Sequence, residues 1–174
     1  NVSSYQSNFN YSNINWNAWF TYRGITENTD HYNSLSLITL INWMNISSNA
    51  SRGEILFSDP SVKALLESYR DQISPFGTMP QYGSGNGFSA NYWAWIAILE
   101  KLAAENNDSR AKWLAHRMFE WTNAQRGQIG QWGSGISYSD MVEAYYYADD
   151  TVQEQQPTNR SSQVTYTKKL NRTS

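Results

Sequence analysis

The chain has 174 residues, with 13 Lys and Arg against 15 Asp and Glu, a formal net charge of -2 and no cysteine. Scattered basic residues in a slightly acidic chain exclude the clustered cationic surface that a phosphate backbone demands, so no nucleic-acid partner is expected. Disulfides and thiolate metal sites are excluded as well, and 40% hydrophobic with 16% charged residues is not the composition of a disordered chain.

Residues 1–31 are dense in Asn and aromatics, and Asn15 to Arg23 reads as a short helix or an irregular segment. A helix is predicted next, capped by Asp30 or Asn33, carrying Leu35, Ile38, Leu40, Ile41 and Met44 and ending near Asn45. "ISSNASRGE" reads as a loop. In "SDPSVKALLESYRDQIS" Ser58 or Asp59 caps a helix, Pro60 takes its first position, and Val62, Leu65, Leu66 and Tyr69 form its apolar stripe. Pro75 and Gly77 mark its stop.

A Gly-rich loop follows in "MPQYGSGNGFSANYWAW". Ser89 or Asn91 then opens a helix through Trp93, Ile96, Leu99, Leu102 and Ala103. "AENNDS" is a turn, and Asp108 caps a helix with Trp113, Leu114, Phe119 and Trp121 at helical spacing, running to about Gln125. "RGQIGQWGSGISYSD" reads as a second Gly-rich loop. Ser139 or Asp140 caps a last helix from Met141 to about Ala148. Val164 and Tyr166 then alternate with Thr165 and Thr167, a strand pattern.

Paired helices with long Gly-rich loops between the pairs suggest stacked helical hairpins, each burying its stripe against the next. A closed ring needs more hairpins than this length supplies. The expectation is therefore a mainly α chain: residues 1–150 form part of a helical layer, and residues 151–174 form a linker and the first strand of a β-domain. A second polypeptide from the same precursor is expected to complete the fold.

The first residues, "NVSSYQSNFN", lack the basic and apolar regions of a signal peptide. No apolar run reaches the roughly 18 residues of a membrane span, so no membrane partner is expected. Asn-x-Ser/Thr triplets begin at Asn10, Asn45, Asn49, Asn107 and Asn159, as well as at Asn1 and Asn171. Such triplets are N-glycosylation acceptors on exposed segments of secreted proteins. An Asn- and Ser-rich chain also forms some by chance. The balance favours a secreted glycoprotein.

The chemistry-bearing residues concentrate in the loops. Gly83, Gly85 and Gly87 let a backbone approach a ligand closely, and Tyr82 and Asn86 lie among them. Trp132, flanked by Gly130 and Gly133, suits an exposed platform. Trp16, Trp19 and Tyr22 interleaved with Asn suit sugar, whose CH faces stack on rings while amides pair with hydroxyls; core packing explains them equally. Trp43, Trp113 and Trp121 sit at core spacing and read as structural, as does His116. His31 and His116 have no ligand spacing, so neither a metal nor a cofactor is expected.

"SDPSVKALLESYRDQISPFGTMPQYGSGNGF" followed by "WAWIAILEKLAAENNDSRAKWLAHRMFEW" resembles the helical part of the heparinase II/III-like polysaccharide lyases, over about residues 14–149. The resemblance implies an incomplete (α/α) toroid followed by β-sandwich domains, and β-elimination beside a uronate. It assigns Tyr82 and His31 as the proton carriers. Asn15, Asn17 and Arg23 would neutralise the carboxylate that makes the C5 proton acidic, Asn86 would be a cleft donor, and Trp93 or Trp95 a sugar platform. A complete set of catalytic Asn, His and Tyr partners is not found in this chain. A non-catalytic carbohydrate-binding or scaffold chain remains an alternative. So does a glycoside hydrolase on the same fold, for which Asp30, Asp140 and Glu143 are the available acids.

Overall fold

The computed structural model describes residues 30–49, 57, 59–79, 92–124 and 134–158, the side chains of 30–33, 47–49, 61 and 134–138 excepted. These residues form α1 (Asp30–Asn49), α2 (Pro60–Arg70), α3 (Tyr92–Asn106), α4 (Ser109–Ala124) and α5 (Ser134–Tyr147). No strand occurs among the described residues. Their fold is mainly α, as the sequence predicts. The Val164–Thr167 strand lies outside the described residues.

Helix α3 is the hub, packing against α1, α4 and α5. Its sequence YWAWIAILEKLAAEN is apolar nearly all round, and Ala94 through Leu99 are all buried. A helix with no polar face belongs inside other helices. Around it gather Leu37, Ile41 and Met44 of α1, Leu65, Leu66 and Tyr69 of α2, and Ala144 and Tyr147 of α5. Trp95 is fully buried, with its ring centroid 5.4 Å from that of Tyr69. It is a core residue and no sugar platform.

Helix α2 starts where its cap and proline predict: Lys63 N–H donates to Asp59 C=O at 2.9 Å, and Pro60 occupies the first turn. It ends at Arg70, before Pro75 is reached. Helix α1 runs four residues beyond the predicted end, through Ser47, Ser48 and Asn49. Helix α5 begins at Ser134 instead of near Met141. Gly and Ser are poor helix formers in isolation, by up to ~1 kcal/mol each, so "GSGISYS" reads as loop; tertiary packing overrides such preferences.

Helices α3 and α4 form an antiparallel hairpin with a two-residue turn. Asn107 has φ of 50°, which Asn tolerates, and Asp108 N–H donates to Ala103 C=O at 3.1 Å. This closes α3 with a Schellman motif. Asp108 then caps α4 as predicted, with Oδ1 accepting from the N–H groups of Arg110 (3.0 Å) and Ala111 (3.1 Å). Its Oδ2 holds the buried Arg70 guanidinium, which Asp71 also holds at 3.0 Å. Burial alone would lower the Arg70 pKa, but the bonds to Asp71 and Asp108 outweigh it and raise the value. Asp108→Ala should cost about 2 kcal/mol, by losing a cap and one arm of a buried ion pair. Asp108→Asn keeps the cap and should cost about half as much, a difference readable in urea unfolding.

Helix α4 bears out the predicted stripe in part: Leu114 is buried and Trp113 and Trp121 pack against the core, while Phe119 does not. Its buried face is Ala111, Leu114, Ala115, Met118 and Thr122, while Phe119 is 43% exposed and Trp113 and Trp121 are half-buried. Alanines let α4 approach α3 closely. The large rings cannot fit at that seam, and they flank it.

Candidate functional site

The turn after α2 is built around one hydroxyl. Ser74 Oγ accepts from the N–H groups of Phe76 and Thr78, both at 3.2 Å, and lies 2.7 Å from Thr78 Oγ1. Gly77 N–H donates to Ser74 C=O at 2.9 Å, with Gly77 at φ of 78°. The knot drives Phe76 outward, where it is 67% exposed.

After α5 the chain runs back along α4. Val152 is buried in the common core, Gln155 N–H donates to Ser109 C=O at 3.0 Å, and Glu154 meets His116 Nδ1 at 2.5 Å. Val152, Glu154 and Gln155, in the described part of the segment read as a linker, are thus tied to the helical layer, while most of residues 151–158 are exposed.

Between these two segments lies an open groove of about 560 Å³, lined by Pro75, Phe76, Trp113, Arg117, Glu120, Trp121 and Gln156. Positions 113, 117, 120 and 121 are spaced to share one face of α4. The Arg117 guanidinium lies over the Trp113 ring at 5.2 Å, a cation–π stack, and Nη1 donates to Glu120 Oε2 at 2.7 Å. Trp121 is fixed from beneath by Tyr92, with ring centroids 4.6 Å apart. The groove therefore brings together the half-buried rings of Trp113 and Trp121, an exposed Phe, the Arg117 cation and an amide. Such a surface suits a flat ligand carrying many hydroxyls and an anion. No family model matches the chain, and no curated protein or solved structure resembles it at a significant level.

Of the residues singled out in the sequence, Trp93 is described: it is half-buried, packed edge-on to Phe119 at 5.8 Å, and does not line the groove. His31 lies in the first turn of α1, with its side chain outside the described residues. Tyr82, Asn15, Asn17, Arg23, Asn86 and Trp132 lie outside them altogether, as do Asn10 and Asn159. The segment carrying Tyr82 and Asn86 nevertheless joins two described residues: buried Met79, just after the Phe76 turn, and Tyr92, which packs under Trp121.

Among the acceptor asparagines, Asn107 is exposed in the α3–α4 turn. Asn49 ends α1, its side chain outside the description. Asn45 is half-buried, with Nδ2, the atom a glycan would occupy, donating to Tyr147 Oη at 2.8 Å. Glycosylation there requires giving up that bond. No group of three or more His, Asp or Glu able to hold a metal occurs among the described residues, and no described helix is long and apolar enough to cross a membrane.

The groove residues that sequence reading missed are Trp113, Trp121 and Arg117. A signal was available: with Ala111, Leu114, Ala115 and Met118 forming a complete helical stripe, Trp113, Arg117 and Trp121 fall on a second one, at i, i+4 and i+8.

Proposed function

We propose that this chain is the helical part of a secreted polysaccharide lyase, an incomplete (α/α) toroid whose last residues lead into a β-domain. It binds its glycan along the α4 groove and cleaves beside a uronate by β-elimination. The observation that carries the binding reading is the Trp113–Arg117–Trp121 face: two indoles line the groove together with a guanidinium held by Trp113 and Glu120. Sugar rings stack on the indoles, and the guanidinium N–H groups left over from Glu120 can pair with a carboxylate. Pairing that carboxylate makes the neighbouring C5 proton removable. Tyr82, close along the chain to the Phe76 wall, is the candidate base, and His31 the second proton carrier. Asn15, Asn17, Arg23 and Asn86 supply further polar contacts.

A second reading has its own support. Glu120, the one carboxylate among the described lining residues, is committed to Arg117, so this stretch by itself binds without transferring a proton. The two readings separate in one assay, on alginate, heparan sulfate, chondroitin, pectate and glucuronan. Elimination leaves a C4–C5 double bond, and absorbance in the near ultraviolet should rise on one of these substrates. Tyr82→Phe should abolish the rise while leaving affinity nearly intact. Trp113→Ala should weaken affinity about tenfold, by removing one stacking face and the bed of Arg117. Binding without absorbance or new reducing ends would support the binding reading, and reducing ends without absorbance a hydrolase.

A further inference from the structure

A second cluster lies away from the groove, where α1 meets α5. Asn42 is its hinge: Nδ2 donates to Glu143 Oε1 at 3.0 Å, and Oδ1 accepts from the Tyr147 hydroxyl at 2.6 Å. The same hydroxyl accepts from Asn45 Nδ2 at 2.8 Å. Two amides of α1 thus grip a phenol and a carboxyl one turn apart on α5. The network is complete except at one atom. Glu143 Oε2 is shut off from solvent and has no hydrogen-bond partner among the described residues.

A carboxylate has about four acceptor sites to satisfy, and this one receives a single donor. With one oxygen shut off from solvent and no donor to it, the ionised form is disfavoured, whereas the neutral acid leaves only an ordinary polar group short of a partner. The charged and titratable neighbours do not relieve it. On α5, Asp140 is buried one turn earlier and Tyr147 one turn later. On α1, Asn42 and Asn45 are uncharged. On α3, the Lys101 ammonium lies over the rings of Tyr147 (5.1 Å) and Phe57 (5.0 Å) and is paired with Glu105 at 2.6 Å. Among the described residues, Asp140 is the charge that acts on the carboxyl.

We propose that Glu143 is a proton-operated latch between α1 and α5, closed while its carboxyl is protonated and loosened once it ionises. The direction of its titration agrees. Burial pushes the Glu143 carboxyl above its ordinary value of 4.5, the Asp140 charge adds to this, and the Asn42 bond only partly opposes it. Tyr147 is raised as well, by burial and then by the Glu143 charge. A carboxyl whose folded pKa exceeds its unfolded one stabilises the fold fully below the unfolded value. That stability is lost as pH rises through the folded value. The stability given by Glu143 therefore declines on the neutral side of pH 4.5, the reverse of an ordinary ion-paired acid.

The test compares thermal unfolding of the wild type and Glu143→Gln across pH 5 to 8. Gln keeps the carbonyl that accepts from Asn42 and cannot ionise. The wild-type melting temperature should fall by a few degrees relative to the variant as pH rises. A constant gap, or a wild type that gains on the variant, would overturn the latch. If the Gln variant does not fold, the wild type alone decides. With 13C at the Glu side-chain carboxyls, one resonance should titrate above the rest; carboxyls all titrating with the exposed ones would sink the proposal.

Discussion

Lys112→Met should destabilise the chain by about 3–5 kcal/mol. Lys112 Nζ lies 2.8 Å from Glu100 Oε2, and the two side chains are only 3% and 6% exposed. The pair bridges α4 to α3 across their contact. The second acid within reach, Asp150, stands 3.9 Å away with its own side chain in solvent, and it screens little. Removing the ammonium leaves the Glu100 carboxylate buried among apolar groups with its partner gone. The loss measures that stranded charge more than any net worth of the pair. Glu100→Met combined with Lys112→Met should therefore recover most of it, because an apolar pair of similar volume is often neutral or stabilising where a buried ion pair stood. Urea unfolding of the two single variants and the double gives the coupling directly. A single Lys112→Met loss below about 1 kcal/mol would mean that water reaches Glu100 and the seam is looser than described.

This pair illustrates what the sequence conceals. Glu100 and Lys112 are ordinary helix residues by type, and nothing in "ILEKLAAENNDSRAKW" says which charges turn inward. Glu100 and Lys101 are neighbours, yet Glu100 is buried against Lys112 of α4 while Lys101 lies over the rings of Phe57 and Tyr147 and pairs with Glu105. What was legible followed from local chemistry. Asp59 with Pro60 fixed the start of α2, and Asp108 fixed the start of α4. The Val62–Leu65–Leu66–Tyr69 spacing marked the buried face of α2 correctly. Starts resting on weak helix formers were misplaced, as at Ser134, because only the packing of α5 on α3 settles it. The groove was illegible for a third reason. Trp113 and Trp121 satisfy an apolar spacing, and size alone suggests burial. Whether a ring enters a seam depends on how closely the helices approach, and the alanines of α4 decide that from the other stripe.

Gly77→Ala should cost about 3 kcal/mol and should also weaken the glycan binding proposed for the groove. At φ of 78° an L side chain is strained by about 1–2 kcal/mol. The methyl group would stand 2.6 Å from Arg117 C, 2.6 Å from Met118 N and 2.7 Å from Arg117 O. All three are backbone atoms of α4, so no flexible side chain can swing aside. Either the turn lifts or the helix bends, and forcing atoms into a filled space adds about 1–3 kcal/mol. The turn is the easier part to move, because Ser74 and Thr78 hold it largely by bonds within itself. Lifting it carries Pro75 and Phe76 away from Trp113 and Arg117, which opens one wall of the groove. Stability and affinity should therefore fall together in this variant, although Gly77 does not line the groove. Trp113→Ala, by contrast, should lose affinity with a smaller loss of stability, since its half-exposed ring flanks the core. Melting temperature and a binding isotherm on the same preparations check both. A Gly77→Ala protein as stable as the wild type would show that the turn does not rest on α4, and the groove would lose its wall with it.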